Sequence, residues 1–200
     1  MVDGSPDRPD DLAGKVVAAL DRVARSQRSR RQSVAVRHGI TPLQADLLLT
    51  LSLGEPPAPA VGLLARELGV SQPTVTDSLH ALERKQLVVR HRHPADARRA
   101  SFVLTPIGSQ LVAELAAAEH ELVETVAELA RPEQEAMLEY TLDLIARLAE
   151  RGFITVARTC FTCRYHEHDG AGHRCALLDM TIGPADLRVN CPEHELAVSA

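Results

Sequence analysis

The 200-residue sequence predicts a mainly α fold with one small β-hairpin, an α+β chain, on three observations. Apolar residues recur at helical spacing through most of residues 12–151, beginning with Leu12, Val16, Leu20 and Val23. Two short stretches rich in β-branched residues, Leu87 to His91 and Ala100 to Leu104, flank a Pro94-Ala95-Asp96 turn. The four cysteines all lie between residues 160 and 191, in a tail poor in large apolar side chains.

Composition narrows the class of protein. With 45% hydrophobic residues and a net charge of -5, the chain reads as a globular protein with one ordinary domain and an appendage. No run approaches the roughly 18 apolar residues of a membrane span, so no membrane partner is expected. The acidic residues 1–11 lack the basic and apolar regions of a signal peptide, which points to the cytoplasm. In that reducing compartment cysteines serve as metal ligands or redox groups more readily than as disulfides. The charge is divided: residues 60–108 carry seven Arg and Lys against four acids, whereas residues 109–154 carry three against ten. The middle of the chain can therefore face a polyanion although the whole is acidic.

Taken in order, residues 1–11 are expected to be a disordered tail and residues 12 to about 32 a first helix. Its Arg22, Arg25, Arg28, Arg30 and Arg31 are read as a solvated face rather than as phosphate contacts. A second helix occupies Ile40 to Leu53, opened by Thr41-Pro42-Leu43-Gln44, in which Thr41 and Gln44 can form a capping box. Leu43, Leu47, Leu48 and Leu51 form its buried face. Three prolines in residues 54–59 predict a loop.

From Ala60 the chain offers a short apolar helix, a Gly69-Val70 turn and a second helix opened by Ser71, which is helix-turn-helix spacing. Val75, Leu79 and Leu82 must face the core, leaving a polar face of Gln72, Thr74, Thr76, Asp77, His80 and Arg84. Gln72 and Thr74, near the N-terminal end, have the reach to read base edges in a major groove. The amides at the Ser71 end suit a phosphate. His80 stands on the same face beyond the first turns, as a surface residue or a further DNA contact. The two strands pair around a basic loop with Arg92, Arg98 and Arg99, and arginines at such a tip can enter a minor groove. Helix, turn, helix and basic hairpin in this order define a winged helix-turn-helix.

Asp96, Arg98, Leu104, Thr105 and Gly108 spell DxR(x5)LTxxG, and with Leu43-Gln44 and residues 71–82 they make the chain resemble the MarR family of bacterial regulators over residues 12 to 150. The resemblance implies a homodimer whose first and last helices interlock, bound to double-stranded DNA at a palindromic operator. It places recognition helices in successive major grooves and wing arginines in the minor groove, with Asp96 orienting those arginines, and leaves room for a small-molecule effector. The cysteine tail departs from the family's simplest members, and the family's phenolic-ligand mechanism does not explain it.

Two long helices, Ile107 to Ala130 and Glu133 to Arg151, are expected on either side of Arg131-Pro132, with apolar faces suited to dimerisation. The expected domains are thus 12–152 for DNA binding and dimerisation and 153–200 for the cysteine-rich extension. There Cys160, Cys163, Cys175 and Cys191 follow the spacing C(x2)C(x11)C(x15)C, with His166, His173 and His194 nearby. Four thiolates and a small tail fit structural zinc. Isolated cysteines and the Cys191-Pro192 pair fit an iron-sulfur cluster, slightly the better reading because it would make the regulator a sensor. A metal-free Cys160/Cys163 thiol switch ranks third. No catalytic constellation stands out, so an enzyme is not expected. The rival classes are a redox enzyme using Glu193 and His194 and a metal-stapled protein-interaction module.

Overall fold

The computed structural model describes the backbone of residues 11–53, 59–93, 96–168 and 172–197, and their side chains except those of 92–100. Residues 1–10 of the expected disordered tail 1–11, most of the proline loop and the tip of the hairpin turn lie outside the described residues, while Asp11 is ordered as the cap of the first helix, accepting the Gly14 amide at 2.8 Å. The helices are α1 (Leu12–Arg37), α2 (Pro42–Leu53), α3 (Val61–Glu67), α4 (Gln72–Arg84), α5 (Pro106–Ala117), α6 (His120–Ala127) and α7 (Arg131–Glu150). The strands are β1 (Val88–His93), β2 (Asp96–Leu104), β3 (His166–His168), β4 (His173–Cys175) and β5 (Met180–Ile182). β1 and β2 form a two-stranded sheet, as the sequence predicts, and their two-residue connection permits antiparallel pairing alone.

The chain forms two compact units. The first gathers α1, α2, α5, the C-terminal half of α4 and the adjoining parts of the hairpin. α1 runs five residues past its expected end at Gln32. Val34 and Ala35 are buried, and the helix stops where Gly39 turns left-handed (φ +60) and the Ile40 amide bonds the Ala35 carbonyl at 2.9 Å. α2 opens on the predicted capping box: the Gln44 amide donates to Thr41 Oγ1 and the Thr41 amide to Gln44 Oε1, both at 3.2 Å. Leu47, Leu48 and Leu51 are buried as expected, whereas Leu43 is half-buried and Gln44 takes its place inside.

The LTxxG residues have distinct jobs. Thr105 caps α5, accepting from the Gly108 amide at 3.0 Å and donating to the Gln86 carbonyl at 2.7 Å. Gly108 faces the Leu87 carbonyl so closely that a β-carbon there would stand 2.0 Å from the oxygen. The helix expected over 107–130 is interrupted at residues 118–119. Its last turn tightens, the Glu119 amide bonding the Ala116 carbonyl at 3.0 Å, which brings Glu119 and Glu121 onto Arg31 and Arg30 of α1.

The second unit contains α3, the N-terminal half of α4, α6, α7 and the tail. α7 ends before Gly152, whose φ of +75 suits no other residue well. The tail then packs on it: Cys160 and Leu187 are buried with Leu142 of α7, and Leu138, Ile145, Phe161 and Ile182 surround them. Beyond this core, β3, β4 and β5 pair in order as an antiparallel sheet, His166 opposite Cys175 and Cys175 opposite Met180.

Substituting Gly108→Ala should destabilise the first unit by on the order of 3 kcal/mol, since the colliding atom is backbone and cannot rotate away. Urea unfolding followed by circular dichroism checks this; a loss below about 1 kcal/mol would show that the α5 junction is slack.

Candidate nucleic-acid interface and cysteine cavity

The helix-turn-helix is built from local bonds. Val70 donates to the Ala65 carbonyl at 3.0 Å, closing the turn through Gly69, whose φ is +64. Ser71 caps α4, its Oγ accepting from the Thr74 amide at 3.3 Å and lying 2.7 Å from Thr74 Oγ1. Leu64, Ala65 and Val75 are buried beneath. The outer face carries exposed Gln72, Thr74, Asp77 and Arg84, with Thr76 half-buried. Thr76 Oγ1 donates to the Gln72 carbonyl at 2.9 Å. With both threonine hydroxyls engaged locally, their methyl groups join Gln72, Asp77 and Arg84 as the chemistry this face presents. Gly62 leaves room for the Gln72 side chain, whose Nε2 lies 3.1 Å from the point a β-carbon would occupy. His80 is half-buried, its ring 6.2 Å from that of Phe102 on β2. The side chains of Arg92, Asp96, Arg98 and Arg99 lie outside the described residues.

The arginines of α1 are largely engaged. Arg25 and Arg28 pair with Asp21, Arg30 with Glu121, and Arg31 with Asp46 and Glu119. The sequence predicts a solvated face for this run; its ion pairs are an addition from the structure, and they reduce what it can offer a phosphate.

All four cysteines line one cavity of about 360 Å³. Leu177, Leu178, Met180 and Ile182 give it an apolar wall, and Arg188 and Glu193 stand at its polar side. The thiols are free; Cys160 is buried and the other three half-buried. The Arg188 amide donates to Cys160 Sγ at 3.2 Å, while its guanidinium bonds Glu193 at 3.1 Å and lies 3.9 Å from Cys191 Sγ. Burial raises the Cys191 thiol above its ordinary value. Among the described residues no three His, Cys, Asp or Glu side chains converge as a ligand set for a single ion. The cysteines ring a space instead of meeting at a point.

The nearby histidines have other partners. His173 is buried, its Nε2 2.9 Å from Glu139 of α7 and its Nδ1 3.0 Å from His166 Nε2. Burial first, then His173 and His168, push the His166 pKa down. His194 bonds Thr162 at 3.0 Å, and burial lowers its pKa too. Glu139 is not visible in the sequence as a neighbour of the site, because it arrives from α7, 34 positions before His173, whereas Arg188 stands only three residues before Cys191. Rare pairs such as His173 with a helical glutamate have no local signal.

A helix-turn-helix followed by a two-stranded wing defines the winged-helix class. Residues 38–99 match the model of the MarR family, about a third of the chain. Among solved structures, a mutant of MepR from a multidrug resistant S. aureus clinical isolate is 25% identical with a TM-score of 0.58, covering 66% of this chain and 96% of that one. The S. aureus MepR-DNA complex is likewise 25% identical with a TM-score of 0.56, covering 66% and 97%. The MarR family transcription regulator SP03579 shares the fold at 24% identity and a TM-score of 0.60, covering 71% and 93%. No curated protein matches the sequence. No helix among the described residues is long and apolar enough to cross a membrane.

In metal-free, reduced protein a bulky thiol reagent should modify Cys160 last, because it is 7% exposed and accepts the Arg188 amide. Peptide mapping of a partial labelling reaction gives the order; labelling of Cys160 ahead of the other three would contradict the packing of the tail on α7.

Proposed function

We propose that the chain is a homodimeric, DNA-binding transcriptional regulator acting on a palindromic operator in the cytoplasm, and that its four cysteines hold an iron-sulfur cluster whose state sets operator affinity. The observation that carries the first part is the exposed polar face of α4, followed by a hairpin with a basic sequence, within residues that match the MarR family model. The similarity to MepR, solved in complex with DNA, supports the same reading. In this role Gln72 hydrogen-bonds a base edge, the Thr74 and Thr76 methyls meet thymine methyls, and Arg84 contacts phosphate. Ser71 holds the helix start against the backbone. Arg92, Arg98 and Arg99 supply affinity through the minor groove, with Asp96 as wing support.

Dimerisation is supported by the apolar stripe Leu12, Val16, Leu20 and Val23 on α1, each more than 40% exposed, which a single chain leaves in water. Replacing Leu20 and Val23 together by Asp should yield monomer in light scattering at micromolar concentration. An unaltered dimer would refute the assignment of α1.

The choice of a cluster over zinc rests on the cavity. Tetrahedral zinc draws four sulfurs to about 2.3 Å from one point. Four cysteines around about 360 Å³ with an apolar wall suit a larger, polynuclear group. When bound, such a group supplies a one-electron redox centre. The chain's own part is to ligate through Cys160, Cys163, Cys175 and Cys191, to offset thiolate charge with the Arg188 amide and guanidinium, and to exclude water with Leu177, Leu178 and Met180.

Anaerobically purified protein should contain iron and sulfide in equal amounts and absorb in the visible; colourless protein with stoichiometric zinc would refute the cluster while leaving DNA binding intact. Arg98→Ala should weaken binding to operator and random DNA alike and reduce the salt slope by about 1. Gln72→Ala should instead cost operator discrimination of about 1–3 kcal/mol. Loss of discrimination in the Arg98 variant, with nonspecific binding unchanged, would overturn these assignments.

A further inference from the structure

Resting on that proposed function, we infer that the stretch leading into the first cysteine is the element that couples the thiolate site to the DNA-reading unit, through Thr155 and Arg158 on the C-terminal end of α3. Thr155 Oγ1 donates to the Arg66 carbonyl at 2.6 Å, a side chain 89 positions away capping the last turn of the first helix of the helix-turn-helix. Three residues further on, the Arg158 guanidinium lies 3.8 Å from Glu67. The other end of this stretch is tied to the cysteines. The Cys191 amide donates to the Arg158 carbonyl at 2.8 Å, and Cys160 follows two residues later, its own amide bonded to the Arg188 carbonyl at 3.1 Å. Arg158 thus has its backbone on the cysteine cavity and its side chain on α3.

The contact with Glu67 is incomplete in a way that suits a switch. Glu67 Oε2 and Arg158 Nε are both buried, and neither atom has a hydrogen-bond partner. Buried guanidinium and carboxylate atoms facing each other beyond hydrogen-bonding range are under a standing penalty. A shift of the 155–160 stretch by under an ångström completes or severs the pair, and ligation of Cys160 and Cys191 acts on that stretch at its end and at the Arg158 carbonyl. Glu67 is followed directly by Leu68, Gly69 and Val70, whose amides close the turn onto Leu64, Arg66 and Ala65, and then by Ser71 and the base-reading end of α4. What happens at the α3 terminus is therefore delivered to Gln72 and Thr74 without passing through the wing.

The test compares full-length protein as purified anaerobically with the same protein stripped by chelator, in wild type, Glu67→Gln, Thr155→Val and the charge reversal Glu67→Lys with Arg158→Glu. Operator affinity of loaded and stripped wild type should differ by about 5–150-fold, the usual span of an allosteric coupling. In Glu67→Gln and in Thr155→Val that ratio should fall towards one while metal content stays full, and the charge reversal should restore much of it. Hydrogen exchange gives a readout independent of DNA: amides of residues 68–70 should exchange at least about fivefold faster after stripping, and equally fast in Glu67→Gln before it. A loaded-to-stripped ratio that survives both single variants, or exchange at 68–70 indifferent to metal, overturns the inference and leaves the regulator reading standing. Wild type that binds no operator refutes the proposed function instead, and the exchange arm still decides the coupling.

Discussion

The contact between Gly108 and the Leu87 carbonyl is the constraint on which the joint of α4, the hairpin and α5 depends. Leu87 follows the left-handed Gln86 (φ 59) at the end of α4, and its carbonyl also accepts the Thr105 amide at 3.1 Å. Thr105 in turn bonds the Gln86 carbonyl and caps α5. The end of α4, the start of β1, the end of β2 and the start of α5 are therefore locked together by these bonds and one steric contact. None of them can rotate without unpairing a backbone group, which costs more than any one of the bonds contributes. A helix offered to a groove and a wing offered beside it need this kind of joint, because base readout tolerates little angular error.

The tail solves its shortage of apolar residues by borrowing. Its buried Cys160 and Leu187 complete a core whose third member, Leu142, belongs to α7, and Phe161 stacks on His166 at 5.1 Å between ring centres. Cys160 is thereby both a core residue and one of the cavity's thiols. The dual use ties the chemistry of that thiol to the packing of the tail: a change in what Cys160 binds moves an atom already wedged against α7 and bonded to the Arg188 amide. The three half-buried cysteines carry no comparable packing duty. Chemistry at the cavity is thus felt at α7 through Cys160, and at the Arg158 carbonyl through Cys191.

What could be read from the sequence was local. The Thr41/Gln44 box, the Ser71 cap, the buried Val75, Leu79 and Leu82, and the pairing of the two β-rich stretches each follow from residues close in sequence, and each is found, although the strands reach further into the expected 92–99 link than the sequence suggests. The gathering of cysteines in 32 residues likewise announced a single locale, and they do line one cavity. The misses are tertiary. α1 overruns because burial of Val34 and Ala35 outweighs the polar run before them, and the helix after Gly108 breaks at 118–119 where acids meet Arg30 and Arg31, 88 to 91 positions earlier. The seating of Thr155 and Arg158 on α3 is of the same kind, since neither threonine nor arginine in a loop advertises its partner.

Charge placement follows the same division between local and distant. The acids that pair with the α1 arginines come from α1 itself, from α2 and from the 119–121 region, so the most basic run of the chain is neutralised at home. Exposed pairs of this sort contribute little to stability, which makes their larger consequence electrostatic: they remove a competing positive surface. The surplus that remains lies in residues 60–108, where seven basic residues face four acids, while residues 109–154 are strongly acidic. A polyanion approaching such a chain is attracted to the wing and recognition helix and repelled by the α5 to α7 segment within about a Debye length of 8 Å at physiological salt. In the proposed regulator the acidic helices thus do more than carry apolar faces, since their charge disfavours DNA along residues 109–154 and leaves the basic surplus of residues 60–108 to attract it.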